Sequence, residues 1–276
     1  MCELLGMNSK LPTDICFSFK GFQARGGGTS VHADGWGIAF FEGRGLRTFH
    51  DPNPSCQSPI AQLLSAYPIR STNVVAHIRK ATQGGTSLEN THPFQRELWG
   101  RHWVFAHNGT LSGYAPPLSG RFLPVGSTDS ELAFCWILQH LHDEFGNHPP
   151  DRAVLFERLR QSAIELAGYG AINFILSNGD CLYAHCSTNL NYLVRQAPFA
   201  RAHLKDEDIS MDFAAVLSPD HRTVVIATTP LTDNEQWIRI PAGSLWCFEN
   251  GEIISRADTV AGTNHPLTGN SACGTL

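Results

Sequence analysis

A cysteine stands at position 2 of the chain, directly after Met1. Methionine in front of a small residue is a typical aminopeptidase substrate, and its removal would leave a thiol and a free α-amine on one residue. Ordinary pKa values of about 7.7–8.0 for the amine and about 8.5 for the thiol put both groups near neutral pH. An N-terminal amine can therefore act as the base for its own side chain. A role for Cys2 as a small buried apolar residue stays open, and this chemistry fails if Met1 is retained, because the amine then lies ~3.8 Å further along the chain.

Three more sets of polar residues follow apolar runs or begin a helix. Asn108 and Gly109 follow the run 102–106; an amide beside a glycine N–H suits a tetrahedral oxyanion, although Asn-Gly is also a common turn. Arg79 follows another apolar run and offers a planar fork for a carboxylate, or for a surface salt bridge. Asp129 begins a predicted helix and could hold an ammonium group or the helix N–H groups. Together Arg79 and Asp129 would bind both ends of an α-amino acid.

The composition is that of a globular protein and excludes several functional classes. Of the 276 residues, 42% are apolar and 16% are charged, which is typical of a folded domain. The net charge of −5 gives no electrostatic footprint for nucleic acid. No apolar run is long enough for a membrane helix, and the N-terminus lacks the segments of a signal peptide. We therefore expect a cytoplasmic protein with eight reduced cysteines, and because no CxxC spacing occurs, a structural zinc site is not predicted.

The elements that must position these residues can be read from hydrophobic periodicity and turn signals. Predicted strands cover 2–7, 35–41, 46–50, 74–78, 102–106, 171–177, 181–185, 191–196, 223–228, 237–240 and 244–249, and predicted helices cover 15–22, 58–66, 132–141 and 151–167. A capping box, Thr128 to Glu131, precedes the third helix. The sequences of residues 42–45 and 178–180 are typical of hairpin turns.

The order of these elements lacks the regular alternation of a parallel α/β fold. It favours antiparallel sheets with helices layered on them, which is an α+β fold. We expect one domain over residues 2–255 and a loosely ordered tail over 256–276, because the tail is rich in small polar residues. The acidic segment 205–212 is interpreted as a solvated loop.

The polar positions fall within blocks in which the chain resembles the class II glutamine amidotransferases, which are N-terminal nucleophile (Ntn) hydrolases. The blocks follow the family's order along residues 2–131. They are Met1-Cys2, Arg25-Gly26 with Asp34-Gly35-Trp36-Gly37-Ile38, His77-Ile78-Arg79-Lys80-Ala81-Thr82, Asn90-Thr91-His92-Pro93-Phe94, His107-Asn108-Gly109 and Thr128-Asp129-Ser130-Glu131. The resemblance, greatest to the stand-alone bacterial members, implies a four-layer αββα sandwich of two mainly antiparallel sheets.

The resemblance also implies a role for each matching residue. Cys2 would be the nucleophile, with its α-amine as general base and acid. The other implied roles are an oxyanion hole for Asn108 and Gly109, α-carboxylate binding for Arg79 and Thr82, α-ammonium binding for Asp129, and supporting roles for Arg25 and His92. Lys80 stands where glucosamine-phosphate synthases have tryptophan, and Gln83 where they have histidine, so the wall of the glutamine pocket is expected to differ. No metal or cofactor is implied.

Three functions are consistent with these residues. The first is a glutaminase-type amidotransferase that hydrolyses the side-chain amide of glutamine through a thioester of Cys2. The resemblance fills most of the chain, so its ammonia would pass to a separate partner protein or be released. The second is a hydrolase of γ-glutamyl amides or peptides such as glutathione, and the third is a non-catalytic binding or regulatory module. The sequence leaves the leaving group and the oligomeric state open.

Overall fold

The computed structural model describes residues 2–81 and 85–260, which contain fifteen strands and five helices. The strands are β1 (Glu3–Thr13), β2 (Trp36–Glu42), β3 (Gly45–Asp51), β4 (Ser71–Ile78), β5 (Phe94–Leu98), β6 (Arg101–Leu111), β7 (Gly170–Ser177), β8 (Leu182–Cys186), β9 (Asn191–Gln196), β10 (Arg201–His203), β11 (Ser210–Asp212), β12 (Arg222–Ala227), β13 (Ile238–Arg239), β14 (Ser244–Glu249) and β15 (Glu252–Asp258). The helices are α1 (Cys16–Ala24), α2 (Pro59–Ala66), α3 (Asp129–Phe145), α4 (Arg152–Ala167) and α5 (Phe213–Val216). The last strand thus extends past residue 255. Residues 261–276 of the predicted tail lie outside the described residues, so the domain boundary stays a prediction.

Two antiparallel sheets dominate the fold. The larger has seven strands in the order β13-β9-β12-β1-β4-β2-β3, and the smaller has six in the order β15-β14-β8-β7-β6-β5. The first strand of the chain therefore lies in the middle of the larger sheet, between β12 and β4. In the smaller sheet, β6 pairs with β7 as far as Leu111 but with β5 only as far as Phe105.

Alternating side chains cover both faces of each sheet. In β1, Leu5 and Met7 pack with α1 and α2, whereas Leu4 faces the second sheet. In β6, Phe105 packs with α3 and α4, whereas Ala106 faces the first sheet. Because successive residues of a strand point to opposite faces, the layers run helices, sheet, sheet, helices. The predicted α+β fold with four αββα layers is confirmed.

The start of α3 is fixed by local hydrogen bonds. The Thr128 hydroxyl accepts the backbone N–H of Glu131 at 3.2 Å, as a capping box requires. The Glu131 carboxylate does not complete the box; it accepts the backbone N–H of Gly126 at 2.8 Å and an ion pair from Arg96 at 2.5 Å. The helix therefore begins at Asp129, directly after the predicted cap Thr128 and three residues before the predicted helix, with the Glu131 side chain turned toward the preceding loop.

Most predicted strands and helices lie where the sequence indicates, and both hairpin turns are confirmed. The strand predicted to end at residue 106 continues to Leu111, because β7 pairs with it as far as Gly170. Asn108 and Gly109 therefore lie inside a strand and not in a turn.

The interpretation of residues 205–212 as a solvated loop holds for exposed Lys205, Glu207 and Asp208 but is wrong for Asp206 and residues 210–212. Residues 210–212 form β11, which pairs with β10. The side chain of Asp206 is only 15% exposed and forms an ion pair with Arg25 at 2.7 Å. This acidic segment is therefore attached to the loop that follows α1.

Candidate active site

Cys2 lies directly before β1, at the end of the layer between the two sheets. Its sulfur donates to the Lys80 carbonyl oxygen at 3.3 Å and accepts the Lys80 N–H at 3.2 Å. Its backbone nitrogen donates to Asn108 Oδ1 at 2.8 Å, and Asn108 Nδ2 donates to its carbonyl oxygen at 2.5 Å. The thiol is thus held by the backbone N–H and carbonyl of one residue, Lys80, while the Asn108 amide bonds both the backbone nitrogen and the carbonyl oxygen of Cys2.

Burial raises the pKa of the Cys2 thiol above its ordinary value. The Lys80 N–H and the positive charge of Arg79 act in the opposite direction, and the Asp34 carboxylate adds to the increase in this pKa. The thiol is therefore mainly protonated at neutral pH, and a nucleophilic role would require a nearby base.

Asn108 is buried, and Asn173 of the neighbouring strand β7 holds its backbone in place. The Asn173 amide donates to the Asn108 carbonyl oxygen at 3.0 Å, and its own oxygen accepts the N–H groups of Ser187 and Thr188, each at 3.0 Å. The Asn108 amide keeps a second hydrogen beyond the one given to Cys2. This hydrogen is the one that could serve an oxyanion.

Gly109 occupies a position where no side chain fits. A Cβ atom there would overlap the carbonyl oxygen of Ala171 and lie 2.6 Å from both the Ala171 carbonyl carbon and His107 Nε2. The obstacle is mainly backbone of the paired strand β7, which cannot rotate away. Only glycine allows the backbone at this position to remain in register beside Asn108.

Arg79 follows β4 and is 3% exposed. Its Nη1 donates to the Gly85 carbonyl oxygen at 3.0 Å, and its backbone N–H donates to the Gly35 carbonyl at 2.8 Å. Its effect on the pKa of Cys2 indicates that the guanidinium lies within electrostatic reach of the thiol. Thr82, predicted to assist it, lies outside the described residues.

Asp129 is the first residue of α3 and joins that helix to the end of β6. Its two carboxylate oxygens accept the N–H of Leu111 at 2.7 Å and the N–H of Ser130 at 2.9 Å. The carboxylate is half-buried and lines an open cavity with Tyr114 and Gly126. It therefore ties the first turn of α3 to β6 and still presents negative charge to a cavity that Leu111 also lines.

Arg25 is buried and fastens the strand of the nucleophile to two other parts of the chain. Its guanidinium forms ion pairs with Glu3 at 3.2 Å and Asp206 at 2.7 Å. It also donates to the carbonyl oxygens of Thr229 at 2.8 Å and Pro230 at 2.7 Å. Glu3 directly follows the candidate nucleophile, so Arg25 binds the residue next to Cys2, and its supporting role stays a prediction.

We expect Arg25→Gln to lower the free energy of unfolding by about 3–5 kcal/mol, because it leaves two buried carboxylates without their counter-ion. Arg25→Lys keeps the charge but not the fork of donors, so we expect a smaller decrease in the free energy of unfolding. Chemical denaturation of both variants measures this order. Equal stability of Arg25→Gln and the unsubstituted protein would show that the ion pairs contribute nothing.

His92 lies in the interior and not on the surface of the site. Its ring stacks on His77, with centroids 4.2 Å apart, and both rings are at most 3% exposed. No hydrogen-bond partner of either ring occurs within the described residues. Burial lowers the pKa of His77 to about 3 and that of His92 well below its ordinary value. Both rings are therefore neutral at neutral pH. The supporting role of His92 stays a prediction.

These buried histidines should make the protein sensitive to acid. Below a pH of about 6.5 the unfolded chain binds protons that the folded chain excludes, so stability falls as the pH decreases from 6.5 toward 3. Each such histidine contributes about 1.4 kcal/mol per pH unit in this window. Chemical denaturation at several pH values measures the slope. The exposed His148→Asn serves as the control that keeps the slope, and a flat profile from pH 7 to 5 would contradict the prediction.

The sequence had not indicated three groups that contact the central residues. These are the peptide of Lys80, the side chain of Asn173 and the carboxylate of Glu3. A backbone group carries no sequence signal. Asn173, in contrast, is a polar residue inside the apolar run 171–177, and that exception was the available clue.

The described residues contain no cluster of three or more His, Cys, Asp and Glu side chains suited to a metal ion. Of the five helices in the described ranges, none is long and apolar enough to cross a membrane.

Comparison with known proteins assigns the family. The sequence model of the class II glutamine amidotransferases matches residues 1–270. The chain belongs to this family. It is 53% identical over 254 residues to YafJ of Escherichia coli K12, provisionally described as a glutamine amidotransferase, and the match covers 92% of this chain and 100% of that protein. The resemblance to the class II amidotransferases is confirmed.

Solved structures agree with this assignment. A predicted glutamine amidotransferase from Pseudomonas aeruginosa is 44% identical, with a TM-score of 0.74 over 92% of this chain and all of that chain. The phosphoribosylpyrophosphate amidotransferase of Bacillus subtilis, at 14% identity and a TM-score of 0.56, shares the fold over 94% of this chain and 50% of its own.

A more distant sequence relative matches only part of the chain. This γ-glutamyl-hercynylcysteine sulfoxide hydrolase of Mycobacterium tuberculosis is 30% identical over 118 residues, which are 42% of this chain and 48% of that protein.

Proposed function

We propose that this amidotransferase hydrolyses the side-chain amide of glutamine, with Cys2 as the nucleophile after removal of Met1. The observation that carries the proposal is the arrangement around Cys2. The backbone N–H and carbonyl of Lys80 hold the sulfur of Cys2, and the Asn108 amide bonds the backbone nitrogen and oxygen of Cys2. A cysteine in a purely structural role does not require such bonds on all its polar atoms.

In the proposed reaction, the α-amine of Cys2 takes the thiol proton and the sulfur attacks the carbonyl carbon of the substrate amide. The developing oxyanion accepts hydrogen bonds from the second Asn108 hydrogen and the Gly109 N–H. The amine then donates its proton to the leaving nitrogen as the carbon–nitrogen bond breaks, which gives a γ-glutamyl thioester and ammonia. Water, deprotonated by the same amine, attacks the thioester and releases glutamate.

Arg79 and Asp129 would hold the amino-acid end of the substrate. A guanidinium forms paired hydrogen bonds with an α-carboxylate, and we assign this contact to Arg79 with help from Thr82. The Asp129 carboxylate, which already accepts two N–H groups, would bind the α-ammonium through its remaining lone pairs. The reaction requires no cofactor, and its ammonia would be released or passed to a separate partner protein, in the cytoplasm.

A second function, hydrolysis of larger γ-glutamyl amides or peptides, is favoured by one comparison. The mycobacterial relative, described as a γ-glutamyl-hercynylcysteine sulfoxide hydrolase, is similar over 118 residues of this chain. All the contacts proposed above bind the γ-glutamyl half of a substrate. They are therefore as compatible with an amine leaving group as with ammonia.

A substrate panel on the purified protein separates these functions. Faster release of ammonia from glutamine than of amines from γ-glutamyl amides and glutathione supports the proposal, and the opposite order supports the second function. Cys2→Ala measures the background of each assay. A non-catalytic module is indicated by a third outcome. In that outcome no substrate releases ammonia or an amine, intact mass shows that Met1 is retained, and a diazoketone analogue of glutamine does not label Cys2.

A further inference from the structure

Asp34 lies opposite the segment that holds the thiol of Cys2. One oxygen of its carboxylate accepts the Ala81 N–H at 2.8 Å, and its own backbone N–H donates to the Arg79 carbonyl at 3.1 Å. The backbone N–H and carbonyl of Lys80, which both contact the Cys2 sulfur, lie between these two attachments. Asp34 is thus bonded to the residue before Lys80 and to the residue after it.

The same segment carries the side chain of Arg79. The Arg79 N–H donates to the Gly35 carbonyl at 2.8 Å, so residues 34 and 35 fix both the backbone of the arginine and the peptide beside the thiol. The distance from the nucleophile to the carboxylate-binding group therefore depends in part on this attachment, beside the pairing of Ile78 with Glu3 and Trp36. A shift of about 1 Å at such a position can reduce a rate by about 10²-fold.

We propose that Asp34 is a positioning residue that sets the separation between the Cys2 sulfur and the Arg79 guanidinium by fixing the backbone on both sides of Lys80. The proposal rests on the proposed function, in which these two groups act on one substrate. The negative charge of Asp34 provides a second, independent signature, because it adds to the increase in the pKa of Cys2 that burial causes, whereas Arg79 opposes it.

Two substitutions in the mature enzyme separate position from charge. Asp34→Ala removes the acceptor of the Ala81 N–H, and we expect kcat/KM for glutamine to fall by about 10²-fold, with a higher KM and a lower kcat. Asp34→Asn can still present an oxygen to that N–H and should recover most of the activity. Its pH profile of Cys2 alkylation should shift to lower pH, because a like charge is removed.

The matched control is Asp51→Asn. The Asp51 carboxylate also fastens a loop, by accepting the Asn53 N–H at 2.9 Å and the Ser58 hydroxyl at 2.5 Å, and both of these partners lie outside residues 79–81. We expect it to change stability without moving the alkylation profile. Asp34→Ala with the kinetics of the unsubstituted enzyme, or Asp34→Asn with an unshifted profile, would overturn the proposal. Failure of the unsubstituted enzyme to hydrolyse any γ-glutamyl substrate overturns the proposed function instead.

Discussion

Replacing Cys2 by alanine is expected to reduce glutamine turnover by about 10⁴-fold or more, as removal of a covalent nucleophile does in other hydrolases. Glutamine binding should survive, because the proposed contacts of Arg79 and Asp129 do not involve the sulfur. Steady-state rates and calorimetric titration of glutamine into the inactive variant measure the two effects.

The chain offers a matched control in Cys16, another half-buried thiol, whose sulfur donates to the Leu64 carbonyl oxygen away from the site. Cys16→Ala should keep its activity. If Cys2→Ala retained a tenth of the activity or more, the assignment of the nucleophile would be wrong. Loss of binding together with activity would show that the substitution disturbs the pocket itself.

Replacing Gly109 by alanine should produce the second large effect, on folding as well as on rate. The added methyl group overlaps the Ala171 carbonyl oxygen, so β6 and β7 must separate locally. We expect the free energy of unfolding to fall by about 3 kcal/mol or more, at the upper end for an overpacked site. In the fraction that stays folded, displacement of the N–H beside Asn108 should lower kcat by about 10²–10³-fold.

Gly45→Ala is the control for that substitution. Gly45 lies at the turn into β3, and a Cβ there meets only the Glu42 carbonyl oxygen, at 3.3 Å. Thermal or chemical denaturation should leave this control close to the unsubstituted protein. A Gly109→Ala protein with normal stability and kcat would mean that the backbone at this position adjusts without cost and that its N–H has no role in the reaction.

The parts of the fold that sequence predicts are those with a local cause. The turn at 178–180 and the cap at Thr128 depend on residues only a few positions apart, and both are found. Strands β10 and β11 were missed because each has three residues and is stabilised by pairing with the other and not by its own composition. The solvated interpretation of 205–212 failed at Asp206 for the same reason, since its partner is Arg25, far away in the sequence.

The candidate site likewise contains side chains that the sequence predicts and contacts that it does not. Motifs predicted Cys2, Asn108 and Asp129, because these side chains are distinctive and their order along the chain follows the family. Periodicity could not indicate that the Lys80 peptide touches the sulfur or that Asn173 holds Asn108, because such contacts join residues that only the folded sheets bring together. The catalytic roles of the site residues stay predictions until the substitutions above are measured.

The bond between the Cys2 nitrogen and Asn108 has a consequence for how the enzyme matures. In the chain that still carries Met1, this nitrogen belongs to a peptide group, and its single hydrogen already suffices for the bond to Asn108. A peptide nitrogen has no basic lone pair, so in the proposed mechanism the chain that keeps Met1 lacks its general base. Cleavage of Met1 would then convert the same atom into a base without rebuilding its surroundings. Under the proposed function, the Cys2–Asn108 contact can therefore form whether or not Met1 is present, and only the basicity of the nitrogen depends on cleavage.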